Sequence, residues 1–140
     1  INITNISNDL FTFAPWITDK TYGPKIDVTY KDLEQINQDI LNKNGGDVCK
    51  VSFSILPSII DDYIVLPIGN TLVKNTGPKI IANKKHKKIS ELSLLTPGKK
   101  TTAYLLTKYL LDDFKQVDED IYYNIIPAIK TKKYDCGFLS

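Results

Sequence analysis

Short runs that alternate as strands do are followed, one after another, by segments whose apolar residues recur at three and four. That repeated strand-helix order admits few architectures other than an α/β sheet. Ile1 to Ile6 reads as a strand, and Asn8 to Ile17 as a helix opened by Ser7 or Asn8, with Phe11, Phe13, Ala14 and Ile17 as its apolar positions. Lys25 to Tyr30 alternates as a second strand. Asp32 then caps a helix carrying Leu33, Ile36, Ile40 and Leu41, and Asn44-Gly45-Gly46 is expected to stop it. A strand around Cys49 follows, then a short helix from Ser54 to Asp61 broken at Pro57, and strands at Tyr63 to Pro67 and Gly77 to Ala82.

The pattern lapses from Asn83 to Ser90, a stretch holding the basic run from Lys84 to Lys88, which reads as a solvated loop. It resumes with a strand at Leu92 to Thr96, a turn at Pro97-Gly98, a helix from Thr101 to Asp113, a short strand near Val117, a helix from Asp120 to Thr131 and a strand from Tyr134 to Leu139. The expected organisation is a first lobe over residues 1–83, a connection at 84–91, and the beginning of a second lobe at 92–140. Roughly 50 residues make a thin core for a lobe of their own, so the second is expected to be incomplete.

Charge excludes some partners. Eighteen basic residues against 16 acidic give +2, too weak a field to point to nucleic acid or an anionic membrane. All the basic residues are Lys, so an anion must be met by ammonium groups, hydroxyls or backbone N–H groups, never by a guanidinium fork. Cys49 and Cys136 lie in strand-like runs without His or Cys neighbours. They read as free buried thiols in a reducing compartment, not as metal ligands. No apolar stretch reaches the roughly 18 residues of a membrane span, no signal leader is visible, and no triad, P-loop or HExxH motif occurs. His86, the one histidine, has no carboxylate at useful spacing.

The segment from Thr96 to Leu106, TPGKKTTAYLL, is the most informative. A strand ends, Pro97-Gly98 turns the chain, and hydroxyls stand at the start of a helix whose first N–H groups lack internal partners. Thr101, Thr102, the N–H groups of Thr102 and Ala103, and Lys99 or Lys100 can together hold a carboxylate. Thr101 serving only as a helix cap explains the same residues, and both readings stand. Lys50, Val51 and Ser52 close a strand ahead of a helix start, where open α/β sheets bind ligands. Asn8-Asp9 forms another strand-to-helix junction, and Gly77 precedes Pro78 at a strand opening.

With these segments together, the chain resembles the 1,4-dihydroxy-6-naphthoate synthase family of the futalosine route to menaquinone. The likeness rests on the run from Asn8 to Phe13, on Lys50 to Phe53, on Gly77-Pro78, on Pro97 to Leu106, on Tyr123 to Ala128 and on Asp135 to Gly137, in the family's order. The resemblance implies a two-lobe, periplasmic-binding-protein-like (type II) fold and a cytoplasmic lyase. It would cleave cyclic de-hypoxanthinylfutalosine without a cofactor or metal, by general-base proton abstraction in an interlobe cleft. It also implies that Lys50, Val51, Ser52, Thr101 and Thr102 line a pocket for a small aromatic carboxylate, with Asn8, Asp9 and Gly77 as further candidates. The family's base is a His expected to follow Ser140, so no catalytic residue is expected within this chain. The family carries a Cys-Pro before its Asn-Asp, whereas here Ser7 abuts Asn8 and no Cys-Pro precedes it. Two alternatives share the fold: a solute-binding receptor for an organic anion, and the related chorismate dehydratase.

Overall fold

The computed structural model describes residues 1–9, 14–15, 18–19, 23–72, 74, 77–85, 88–111 and 113–139, with Asn8 described in its backbone alone. Most of the helix expected at Asn8 to Ile17 lies outside these residues, as do His86 and Ser140. The chain divides into two compact units, Ile1–Gly69 and Asn70–Ser140.

The first unit holds a three-stranded sheet of β1 (Asn2–Asn5), β2 (Asp27–Tyr30) and β3 (Val48–Cys49), in the order β2-β1-β3. Both pairings are parallel, so the connections must cross over and all three strands end on one edge. Helix α1 (Leu33–Leu41) begins where Asp32 accepts a hydrogen bond from the Glu34 N–H. It ends earlier than the glycines suggest. Lys43 takes the left-handed conformation at φ 59°, its N–H bonds the Ile40 carbonyl, and the Asn44 N–H bonds the Asp39 carbonyl. That is a Schellman stop with lysine where glycine is usual. The glycines serve the next step instead: a Cβ on Gly45 would collide with Ile40 Cδ1 as the chain turns into β3. Pro57 does not break its helix either. It occupies the first turn of α2 (Leu56–Ile59), where its missing N–H has no helical partner to lose. Ile40, Ile55 and Ile59 form the buried cluster between these helices, with Leu41, Cys49, Val51, Leu56 and Tyr63 packed around it.

The second unit holds β4 (Lys79–Ala82), β5 (Ser93–Thr96), β6 (Gln116–Glu119) and β7 (Cys136–Leu139), in the order β4-β7-β5-β6. Helix α3 (Thr102–Leu110) follows β5 and helix α4 (Tyr122–Lys130) follows β6. The three strands β5, β6 and β7 are parallel, whereas β4 runs antiparallel to β7 from Lys79↔Leu139 to Ala82↔Cys136. This pairing corrects the expected boundary. Residues 70–83 belong with the second unit, and the chain parts at Gly69, not at 84–91. Along β7 the faces alternate. Cys136 and Phe138 pack with Leu94 against Ala103 and Tyr104 of α3, while Gly137 faces Ile125 and Ile129 of α4. Each of these large apolar side chains adds about 1.5–3 kcal/mol when fully buried.

One expected strand is absent. Tyr63 to Pro67 carries the right residues but among the described residues pairs with no strand, and Ile64 is 90% exposed. A strand exists only as half of a ladder, so a β-branched run left without a partner stays irregular. Both thiols are free, but only Cys136 is buried; Cys49 is half-buried, which corrects the expectation of two buried thiols. Burial, and then the Asp135 carboxylate, push the Cys136 thiol up to about 11. Among the described residues no helix is long and apolar enough to cross a membrane.

Candidate functional site

Each unit presents a cluster of polar groups at the carboxyl ends of its parallel strands, the edge at which open α/β sheets bind ligands. In the first unit, the chain leaving β1 makes a tight turn over Ser7–Asp9. The Asp9 carboxylate meets Lys50 Nζ at 3.2 Å, with each side chain about a fifth exposed at 22% and 23%. Lys50 Nζ also donates to the Gly69 carbonyl at 2.8 Å. Lys50 is therefore no free cation waiting for an anion. It braces the loop after β1, its own loop and the end of the unit, and its charge is balanced by Asp9.

Val51 turns into the apolar cluster, and Ser52 follows at 6% exposure. Ser52 occupies the N-cap position of the Phe53–Ile55 turn, yet its hydroxyl caps nothing. It is held by Asn37 from the middle of α1: the Asn37 amide donates to Ser52 Oγ at 3.0 Å and its oxygen accepts the Ser52 N–H at 2.9 Å. Asn37 is fully buried and the sequence reading passed over it. The signal was there, since position 37 completes the stripe of Leu33, Ile36, Ile40 and Leu41, and an amide on such a stripe must find partners. At the end of β2 the buried Tyr30 hydroxyl has no hydrogen-bond partner.

In the second unit, Thr96 closes β5 fully buried, and Pro97-Gly98 turns the chain toward α3. Thr101 is both buried and used: its hydroxyl donates to the Gly98 carbonyl at 2.7 Å and accepts the Tyr104 N–H at 3.3 Å. The cap reading thus accounts for this hydroxyl. The Leu105 N–H returns to the Thr101 carbonyl, which leaves the Ala103 N–H, among the described residues, as an open donor of the first turn. Thr102 stands beside it, half-buried. The Lys99 N–H is occupied by the Glu119 carboxylate. One carboxylate in the turn before the helix is thus met by a backbone donor.

Gly77 stands two residues before β4, whose first residue, Lys79, pairs with Leu139 at the carboxyl end of β7. It is exposed, and a Cβ there would meet nothing within 4 Å, so no close approach explains the glycine. A concavity of about 310 Å³ lies along α3 and β6, lined by Tyr104, Thr107, Lys108, Asp113, Phe114 and Val117. It contains none of the expected residues.

The family described as menaquinone biosynthesis matches residues 1–139. A "1,4-dihydroxy-6-naphtoate synthase" of Streptomyces coelicolor is 30% identical over 138 residues, covering 94% of this chain and 49% of the relative. A protein of the same name from Thermus thermophilus is 26% identical over 133 residues, covering 94% and 48%. The chain spans about half the length of these curated relatives. Among solved structures, one from Archaeoglobus fulgidus superposes with a TM-score of 0.88 at 25% identity, over 99% of this chain and 53% of that one. The binding protein of a phosphonate ABC transporter from Pseudomonas aeruginosa gives a TM-score of 0.58 at 17% identity, over 99% and 56%. A cysteine-binding protein from Campylobacter jejuni gives 0.59 at 13%, over 99% and 62%. The fold is therefore α/β of the periplasmic-binding-protein-like kind.

Proposed function

The chain belongs to the menaquinone biosynthesis family, and from that membership we propose that it serves as a cytoplasmic lyase converting cyclic de-hypoxanthinylfutalosine to 1,4-dihydroxy-6-naphthoate without a cofactor. The observation that carries this reading is the turn from Thr96 to Thr101, which delivers a capped nine-residue helix with an open first-turn donor, in a chain matched from 1 to 139.

Such a reaction needs a base to remove a proton from carbon and a fixed substrate, so that the proton lies within the base's reach. In this reading the base is the His that the resemblance puts beyond Ser140, and residues 1–140 contribute binding and orientation. The Ala103 N–H and the Thr102 hydroxyl meet the substrate carboxylate, reinforced by the partial positive charge at the start of α3. Thr101 does not touch the ligand. Its two hydrogen bonds to Gly98 and Tyr104 hold the turn that aims these donors. In the first unit, taken by itself, the Ser52 hydroxyl is the group offered to a ligand, and the Asp9–Lys50 pair keeps its loop in place.

Replacing Thr102 with Val keeps the shape and removes one donor. A lost charge-assisted bond of roughly 1.5–3 kcal/mol lowers affinity by roughly ten- to a hundredfold. Calorimetric titration of the intact protein with 1,4-dihydroxy-6-naphthoate and its methyl ester measures this. Equal binding of acid and ester by the wild type, or an unchanged Thr102→Val, would show the helix start to be a structural cap only. An organic-anion receptor of the same fold would bind the acid and return it unchanged, and following product formation by chromatography separates the two functions.

A further inference from the structure

The Ser52 hydroxyl stands at a ligand-binding edge, and the way it is held determines what it can bind. Asn37 lies in the buried face of α1 between Ile36 and Ile40, a place where an amide is tolerated only if its polar atoms are satisfied. Two of its bonds go to one residue, Ser52. The orientation of the amide follows from chemistry. A backbone N–H can only donate, so the amide oxygen must be the atom facing the Ser52 N–H, and the amide nitrogen must then face Ser52 Oγ. Oγ is therefore an acceptor toward Asn37, and its single proton is left to be donated elsewhere. Local capping does not take up this hydroxyl, because Ser52 makes no side-chain bond at the turn it precedes.

We propose that Asn37 is a positioning residue which locks Ser52 as a hydrogen-bond donor and so makes this contact selective for an anionic oxygen, a carboxylate, over a group that must itself donate. The proposal rests on the reading above in which Ser52 touches the substrate. Without Asn37, the hydroxyl can rotate, cap the Phe53–Ile55 turn or accept from the ligand, and the preference for an acceptor disappears.

The test is a double-mutant cycle in the intact protein, titrated with 1,4-dihydroxy-6-naphthoate and with the corresponding carboxamide. Ser52→Ala and Asn37→Leu should each weaken binding of the acid by about tenfold, the loss of a single charge-assisted hydrogen bond. In the Ser52→Ala background, Asn37→Leu should then change affinity by less than about twofold, since the hydroxyl it orients is gone and, of its two bonds to residue 52, only that to the backbone N–H is left. The preference for acid over carboxamide should shrink in both single variants. If Asn37→Leu does not fold, Asn37→Asp takes its place in the cycle. It retains the shape and the acceptor for the Ser52 N–H but accepts from Oγ, and the effect of its charge is common to both backgrounds. Losses of equal size with and without Ser52 mark a general structural role and overturn the proposal. A weakened Ser52→Ala beside an unchanged Asn37 variant overturns it too, while leaving the Ser52 contact standing. Unchanged binding by Ser52→Ala removes that contact and the proposal together, and the Thr102 experiment stays independent of both.

Discussion

Thr101 is where fold and site meet, and replacing it with Val isolates its two hydrogen bonds because the shapes are nearly the same. The variant loses the cap on the Tyr104 N–H, found at 3.3 Å, and the donor to the Gly98 carbonyl at 2.7 Å. A lost cap costs about 1 kcal/mol. A lost neutral hydrogen bond costs about 0.5–1.5 kcal/mol, toward the lower end here because the Thr101 N–H still approaches the same carbonyl at 3.4 Å. The sum is about 1.5–2.5 kcal/mol. With a urea slope of about 1–3 kcal/mol/M, the midpoint should fall by roughly 1 M. Thr101→Ser keeps both bonds and gives up one buried methyl, about 0.8 kcal/mol. Two units need not unfold together, so far-UV circular dichroism should be paired with hydrogen exchange over residues 98–110. Faster exchange in Thr101→Val, concentrated in that segment, is the expected result. A Val variant as stable as wild type, or a Ser variant as damaged as Val, would refute the assignment of the stability to these two bonds.

Gly137→Ala puts a Cβ 2.5 Å from Ile125 Cγ2 and 3.1 Å from Ile129 Cγ1. It should destabilise by about 1–3 kcal/mol, as overpacking does. Adding Ile125→Leu, which removes the branch at Cβ, should restore part of the melting temperature; a single variant that melts like wild type would contradict the packing. Cys136 should be alkylated by iodoacetamide at pH 8 far more slowly than half-buried Cys49, with both reacting in urea, as mass spectrometry can follow. Its thiol is raised from 9.0 to about 11, so the unfolded chain loses this proton first. The contribution to stability is full below pH 9 and is lost as pH rises toward 11, which denaturant midpoints measured across that range will check.

What the sequence determined by itself was the set of elements with strong local signals. Asp32 and the apolar stripe behind it specify α1, and the apolar run of β5, the Pro-Gly turn and Thr101 specify the strand-turn-helix that carries the candidate carboxylate site. Hydrogen bonds of this kind close within a few residues, so the residues that make them are visible side by side. Tertiary structure decided the rest, because the partners lie far apart in the chain. Lys79 to Ala82 joins the second unit only because β7, more than fifty residues later, offers it an edge, and Tyr63 to Pro67 is also apolar-rich but among the described residues has no edge to join. The local signal at Thr101 showed a cap and an anion site equally well; the Gly98 carbonyl and the Tyr104 N–H decided that its hydroxyl is the cap. The sequence marks Ser52 as a candidate contact at a strand end, without the group that orients its hydroxyl. Its role as a fixed donor follows from Asn37, fifteen residues away in sequence, because the direction of a hydroxyl proton is set by whatever bonds its oxygen, and only folding brings that group to it.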